Sequence, residues 1–324
     1  MRLAPTSKQL VFHLGAHRAG SSTIQGTLER RRDELDARGV GVFVRRDLAA
    51  DALMRPLLAI HRGSLRALPS VWPLVRAPGS TVVISEESLL GLMPGRRGAS
   101  FYPGHVRAIR GLRWLARFFD VRLRWIVRRQ DRLLESIFSF RVSRGETDDF
   151  ATFAARCGHL AWLPIARALE ASGIADVRVA LFEDLFDAGT EARLGAFLDL
   201  PGSDSWREPM RRGNVGLRGP ALQILRYLNR AASLDPEQRR AAHATLQPYC
   251  AEPPPEEDLA QAFERGSLGR LARLSASALS FAAAAPPTGF DDAARRDFLR
   301  RHEADNRQLL RMRIVVGDAA RWEL

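Results

Sequence analysis

At 324 residues, 46% of them hydrophobic and 27% charged, the chain has the composition of a folded globular protein with room for a substantial core, which suggests neither disorder nor a membrane protein. Its longest apolar tract, Ala276 to Pro286, falls short of the roughly 18–20 residues of a membrane helix, so no membrane span is expected. The net charge is +12 and nearly all the positive charge is arginine, Lys8 being the one lysine; this reads first as compositional bias and second as a preference for anionic partners.

In chain order, the stretch after Met1 to Gln9 holds too short an apolar run for a secretion signal, and a cytoplasmic chain is the expectation. Gln9 to Leu14 reads as a buried strand. A loop punctuated by Gly15 and Gly20 runs to Ser22, and a helix follows to about Arg38, with Ile24, Leu28 and Leu35 at helical spacing and Gly39 as its stop. Val40 to Val44 is a second strand. Thr81 to Ile84, Val121 to Val127 and Val177 to Phe182 are three more, rich in β-branched residues and each leading into a helical pattern. From Leu222 the pattern is helical to Met312, with turns at Pro253 to Pro255 and Ala282 to Thr288. The expectation is an α/β domain over residues 1–212, a central parallel sheet flanked by helices, with a helical C-terminal region over 213–324 packed on it. Cys157 and Cys250 share no short metal-type spacing and read as free thiols; no metal site is expected.

The chemistry concentrates in Gly15-Ala16-His17-Arg18-Ala19-Gly20-Ser21-Ser22-Thr23, between the first strand and the first helix, where backbone N–H groups and the helix dipole favour an anion. Gly15 and Gly20 keep the spacing of a nucleotide triphosphatase loop, but Ser21 stands where such a loop has lysine. Read from Arg18, the loop resembles the 5′-phosphosulfate loop of sulfotransferases, normally Lys-x-Gly-Thr-Thr, with His13, Gly15, His17 and Gln25 in the flanking places common in bacterial members. A second match is Arg128-Arg129-Gln130-Asp131 with Ser136 eight residues beyond Arg128, similar to the family's 3′-phosphate site. Weaker echoes are Ser85-Glu86-Glu87-Ser88, Phe182-Glu183-Asp184-Leu185, Asn214 and Asn306.

The resemblance implies a P-loop-like three-layer sandwich that binds 3′-phosphoadenosine 5′-phosphosulfate as co-substrate. It implies transfer of the sulfuryl group to a hydroxyl or amine acceptor, saccharides being one class the family uses. His17, Arg18, Ala19, Gly20, Ser21, Ser22 and Thr23 would hold the 5′ side, Arg128 and Ser136 the 3′-phosphate, and Arg212 could touch the nucleotide or belong to a solvated turn. Arg18 replaces the lysine that stabilises the leaving phosphate, and arginine, with a pKa above about 12, is a poor proton donor. Two readings therefore stay open: a working sulfotransferase, and a catalytically impaired nucleotide or polyanion binder of the same fold. The base that takes the acceptor's proton is left among Glu86, Glu87 and His105. Nucleic-acid binding, suggested by Arg122, Arg124, Arg128 and Arg129, lacks interleaved aromatic motifs, so no specific nucleic-acid partner is expected.

Overall fold

The computed structural model describes residues 8–50, 59, 76–95, 100–186, 190–211, 216–266 and 268–322. Six parallel strands form one sheet: β1 (Gln9–His13), β2 (Val40–Val44), β3 (Thr81–Ser85), β4 (Asp120–Val127), β5 (Asp176–Leu181) and β6 (Val315–Val316), in the order β2-β3-β1-β4-β5-β6. Val11, Phe12, Val82, Val83, Ile84, Trp125 and Ile126 are buried whichever way they point, because helices cover both faces and a parallel sheet of this kind has no wet side.

The five strands expected from the sequence are present, with small shifts of boundary. Phe182 leaves the sheet and opens the short helix Phe182–Phe186. The first helix is two: Ser21–Arg30 and Arg32–Ala37, broken at Arg31, whose φ of −95° and ψ of 7° leave the helical well. Gly39 supplies the positive φ, 75°, that turns the chain into β2.

The sheet order places a topological switch between β1, whose connection runs left toward β2, and β4, whose connection runs right toward β5. In open α/β sheets a crevice opens at the carboxyl ends of two such strands. Here the edge is tightly made. Past the end of β1, Leu14 and Ala16 donate backbone hydrogen bonds to Arg124 and Ile126, and Ile126 donates to Gly15 at 2.7 Å, so the loop leaves β1 strapped to β4.

The C-terminal region is helical, as expected, and it completes the sheet. Its Gly219–Ala231 helix packs on the Gln130–Val142 helix that follows β4, and its Asp292–Leu310 helix packs on both Gln130–Val142 and Leu163–Glu170. The chain then returns as β6, paired with Val179 and Ala180 of β5. Among the described residues no helix is long and apolar enough to cross a membrane, and Cys157 and Cys250 are free.

Candidate functional site

The loop from Gly15 to Gly20 carries three left-handed residues, Gly15 (φ 82°), Arg18 (φ 62°) and Gly20 (φ 84°). Glycine is required at the first and last by contact as well as by φ. A Cβ on Gly15 would stand 2.6 Å from Cβ of Glu87, and one on Gly20 would stand 2.2 Å from the Phe186 ring. Arg18 has no such freedom and holds a conformation that costs about 1–3 kcal/mol, a strain found at sites where the surroundings over-determine the backbone. Ser21 donates its hydroxyl back to the Ala16 carbonyl (3.1 Å), Ala19 and Thr23 are buried, and Ser22 is exposed. The helix Ser21–Arg30 begins with no side-chain cap.

Three sequence-expected residues meet at this edge. Arg18 Nε donates to Ser136 Oγ at 3.1 Å, and Arg128 Nη1 donates to the Arg18 carbonyl at 3.0 Å. The Gln130–Val142 helix starts immediately after Arg128 and Arg129, and this lifts Ser136 to the level of the loop. Among the described residues neither Arg18 nor Arg128 forms a salt bridge. Arg18 lies over the Phe140 ring and Arg128 over Phe182, at 5.4 and 4.6 Å from the ring centres, and Arg128 Nε is buried without a hydrogen-bond partner.

Burial, and then the charge of Arg128, push the Arg18 guanidinium down to about 10, and burial lowers Arg128 as well. At about 10 Arg18 stays protonated at neutral pH. Neither Arg18 nor Arg128 has a carboxylate at ion-pair distance among the described residues, although Glu183, Glu135 and Asp131 act on Arg128 from farther off, so both guanidinium groups are open to a direct anionic partner. Arg129, next in sequence, is the opposite case: Asp131 accepts from its Nε and Nη2 at 2.8 and 3.0 Å and pairs with Arg295 at 2.6 Å. Arg122 and Arg124 likewise spend their charge on Asp120, Asp176 and Asp199.

On the β3 side, Glu86 is wholly buried, accepts from the backbone N–H of Ser88 (2.8 Å) and pairs with Arg45 (3.0 Å). Burial first, then the charge of Glu87, raise its pKa. Glu87 is partly exposed; Gln25 Nε2 donates to it at 3.0 Å and Arg45 pairs with it at 3.3 Å. Of the two, only Glu87 presents a surface to solvent beside the loop. His105 stands at the start of the helix His105–Leu115, its Nδ1 3.1 Å from the Tyr102 carbonyl, and has no hydrogen bond to Arg18, Glu86 or Glu87. Arg212 and Asn214 lie outside the described residues.

Tyr102, Phe186 and His243 were not singled out by the sequence, and Phe182 entered only as part of a weak echo. The fully buried Tyr102 places its hydroxyl 2.6 Å from the His17 backbone nitrogen and 3.0 Å from His17 Nδ1. Phe182 and Phe186 stack at 4.6 Å beside Arg128 and Gly20. His243, on the helix Pro236–Leu246, is depressed by burial and then by the charge of Arg18, which brings the C-terminal region to the same edge. No periodicity or spacing could have marked Tyr102 or His243, since each is defined by a contact far along the chain.

Fold and site together define an α/β protein in which two arginines, Arg18 and Arg128, and Ser136 meet at the carboxyl edge of a parallel sheet. No family model, curated protein or solved structure matches the chain.

Proposed function

We propose that this chain binds 3′-phosphoadenosine 5′-phosphosulfate and transfers its sulfuryl group to a hydroxyl or amine acceptor. The observation that carries the reading is the meeting of two separately recognised anion motifs at one sheet edge, through the hydrogen bonds of Arg18 to Ser136 and of Arg128 to the Arg18 carbonyl. Phosphates at the 3′ and 5′ positions of one nucleotide suit two adjacent cationic groups better than a single phosphate does.

In the transfer, the acceptor oxygen or nitrogen attacks sulfur while the bond from sulfur to the bridging phosphate oxygen breaks, and the electron pair stays on the leaving phosphate. Arg18 stabilises that developing charge, and Glu87 takes the acceptor's proton. The hydrogen bonds from Gln25 and Arg45 to Glu87 fix where that base stands. Because Ser136 already accepts from Arg18 Nε, a 3′-phosphate reaching Ser136 shares or displaces that bond, so the two ends of the nucleotide are coupled through Arg18.

The impaired-binder reading keeps one observation in its favour, the arginine at position 18 with its side chain engaged by Ser136. One experiment separates the two. The purified protein is incubated with sulfur-labelled donor and a mixed panel of saccharide, phenol and amine acceptors, and binding of adenosine 3′,5′-bisphosphate is measured by calorimetry. Binding with transfer supports the enzyme. Binding without transfer, with transfer recovered in Arg18→Lys, supports the impaired binder. Absence of both removes the nucleotide from consideration.

A further inference from the structure

Tyr102 and His17 form a contact whose chemistry can be worked out proton by proton. The His17 backbone N–H can only donate, so the Tyr102 oxygen accepts it at 2.6 Å. Tyr102 is fully buried, and burial raises its pKa far above the ordinary phenol range, so it keeps its own proton. Among the described residues that proton has one hydrogen-bond acceptor within reach, His17 Nδ1 at 3.0 Å. Nδ1 is then the unprotonated nitrogen, and the ring carries its hydrogen on Nε2.

The charged and titratable groups facing this ring are Glu87, Arg45, Arg141 and Arg18, with Tyr102 against Nδ1. Burial first, and then the three arginines, hold the ring's pKa down to about 4 against the pull of Glu87, so protonation does not compete with the tautomer at neutral pH. The ring belongs to the residue immediately before Arg18, and its backbone N–H is already spent on Tyr102.

We infer that Tyr102 is a positioning residue that locks His17 as a neutral imidazole with its hydrogen on Nε2, and that this N–H donates to an oxyanion held by the Arg18 loop. On the function proposed above, that oxyanion is the sulfuryl group, so the inference rests on that reading for its substrate and on geometry alone for its tautomer. A neutral donor suits the role: it stabilises charge developing on sulfuryl oxygen and has no proton to lose to the phosphate. It also excludes His17 as the base, which leaves that task to Glu87.

The test uses the full chain labelled with nitrogen-15 histidine, the His17 signals being identified by their loss in His17→Gln. The expected spectrum has Nδ1 in the unprotonated range and Nε2 in the protonated range, unmoved between about pH 5.5 and 8, where an ordinary histidine titrates. Tyr102→Phe should mix the tautomers. A wild-type Nδ1 that carries the proton, or a ring that titrates near 6.5, overturns the inference. Inorganic sulfate then probes the donor: His17→Leu should bind it about tenfold more weakly than wild type, with His17→Gln, which keeps an N–H, in between. Equal affinity in all three overturns the donor role. None of these readouts needs turnover, so a locked ring that responds to sulfate in a protein that transfers nothing counts against the sulfotransferase reading alone.

Discussion

Arg18 concentrates three separate demands in one residue: a left-handed backbone, a half-buried guanidinium and a hydrogen bond to a serine on another element. Ser136→Ala therefore cannot act on nucleotide affinity alone, since it also frees Arg18. Measured as dissociation constants for adenosine 3′,5′-bisphosphate, Arg18→Ala and Ser136→Ala should be non-additive, with a coupling of about 0.5–3 kcal/mol. Strict additivity would mean that the 3.1 Å contact does not shape the binding state. A second expectation concerns Gly20. Alanine there meets both a φ of 84° and the Phe186 ring, and should cost about 1–3 kcal/mol of stability in urea unfolding. Arg18, Gly15 and Gly20 were legible because their requirement is local: a glycine-punctuated turn between a strand and a helix. Tyr102 was not, because nothing near it in sequence announces that its hydroxyl serves a residue 85 positions earlier.

The Gln130–Val142 helix has two jobs at the scale of elements, since it carries Ser136 into the site and joins the sheet to the C-terminal region. The joint is a buried reciprocal amide pair: Gln130 Nε2 donates to Asn306 Oδ1 at 2.5 Å, and Asn306 Nδ2 donates to Gln130 Oε1 at 3.0 Å. Asn306, a site echo in the sequence, is thus a packing partner of the residue that follows Arg129. Asn306→Leu leaves the Gln130 amide buried and unpaired, and should cost about 1–3 kcal/mol. The double replacement Gln130→Leu with Asn306→Leu should recover a good part of that loss in the same urea midpoint; no recovery would mean the pair supplies more than mutual satisfaction. Strands β1 to β5 were legible from β-branched runs, but β6 was not, because two residues after a long helix carry no period. The break at Arg31 was equally hidden. It has neither proline nor glycine, and its guanidinium reaches Glu191 at 3.1 Å and lies over Trp206, both far along the chain.

Across the whole molecule the excess of arginine is divided by the sheet. Near the amino ends of β4 and β5, Arg122, Arg124 and Arg178 are matched by Asp120, Asp176 and Asp199, whereas at the carboxyl edge neither Arg18 nor Arg128 forms a salt bridge among the described residues, Arg128 having Glu183, Glu135 and Asp131 only at longer range. The same burial that lowers those arginines also depresses histidines, and this sets how stability responds to acid. His13 is fully buried, its Nδ1 2.8 Å from Ser85 Oγ and its Nε2 without a partner, and burial pushes it down to about 4; His17 is held at about the same value. In the unfolded chain each ring binds a proton near 6.5. Between those two values the unfolded state binds more protons, so stability is complete above about pH 6.5 and falls as the pH drops toward 4, by at most about 1.4 kcal/mol per pH unit for each ring. The carboxylates held low by arginine against the cost of burial, Asp131 and Asp199, lose their contribution only below this window, while Glu86, raised by burial, works in the opposite sense. Urea unfolding of His13→Leu, compared with wild type at pH 7.5 and pH 5, isolates one ring. The variant should lose part of the pH dependence, the remainder resting on His17 and on His243 and His302, which burial lowers as well, even where the substitution itself shifts stability at pH 7.5. A variant that keeps the full slope would place the acid sensitivity elsewhere than in the histidines that flank the loop.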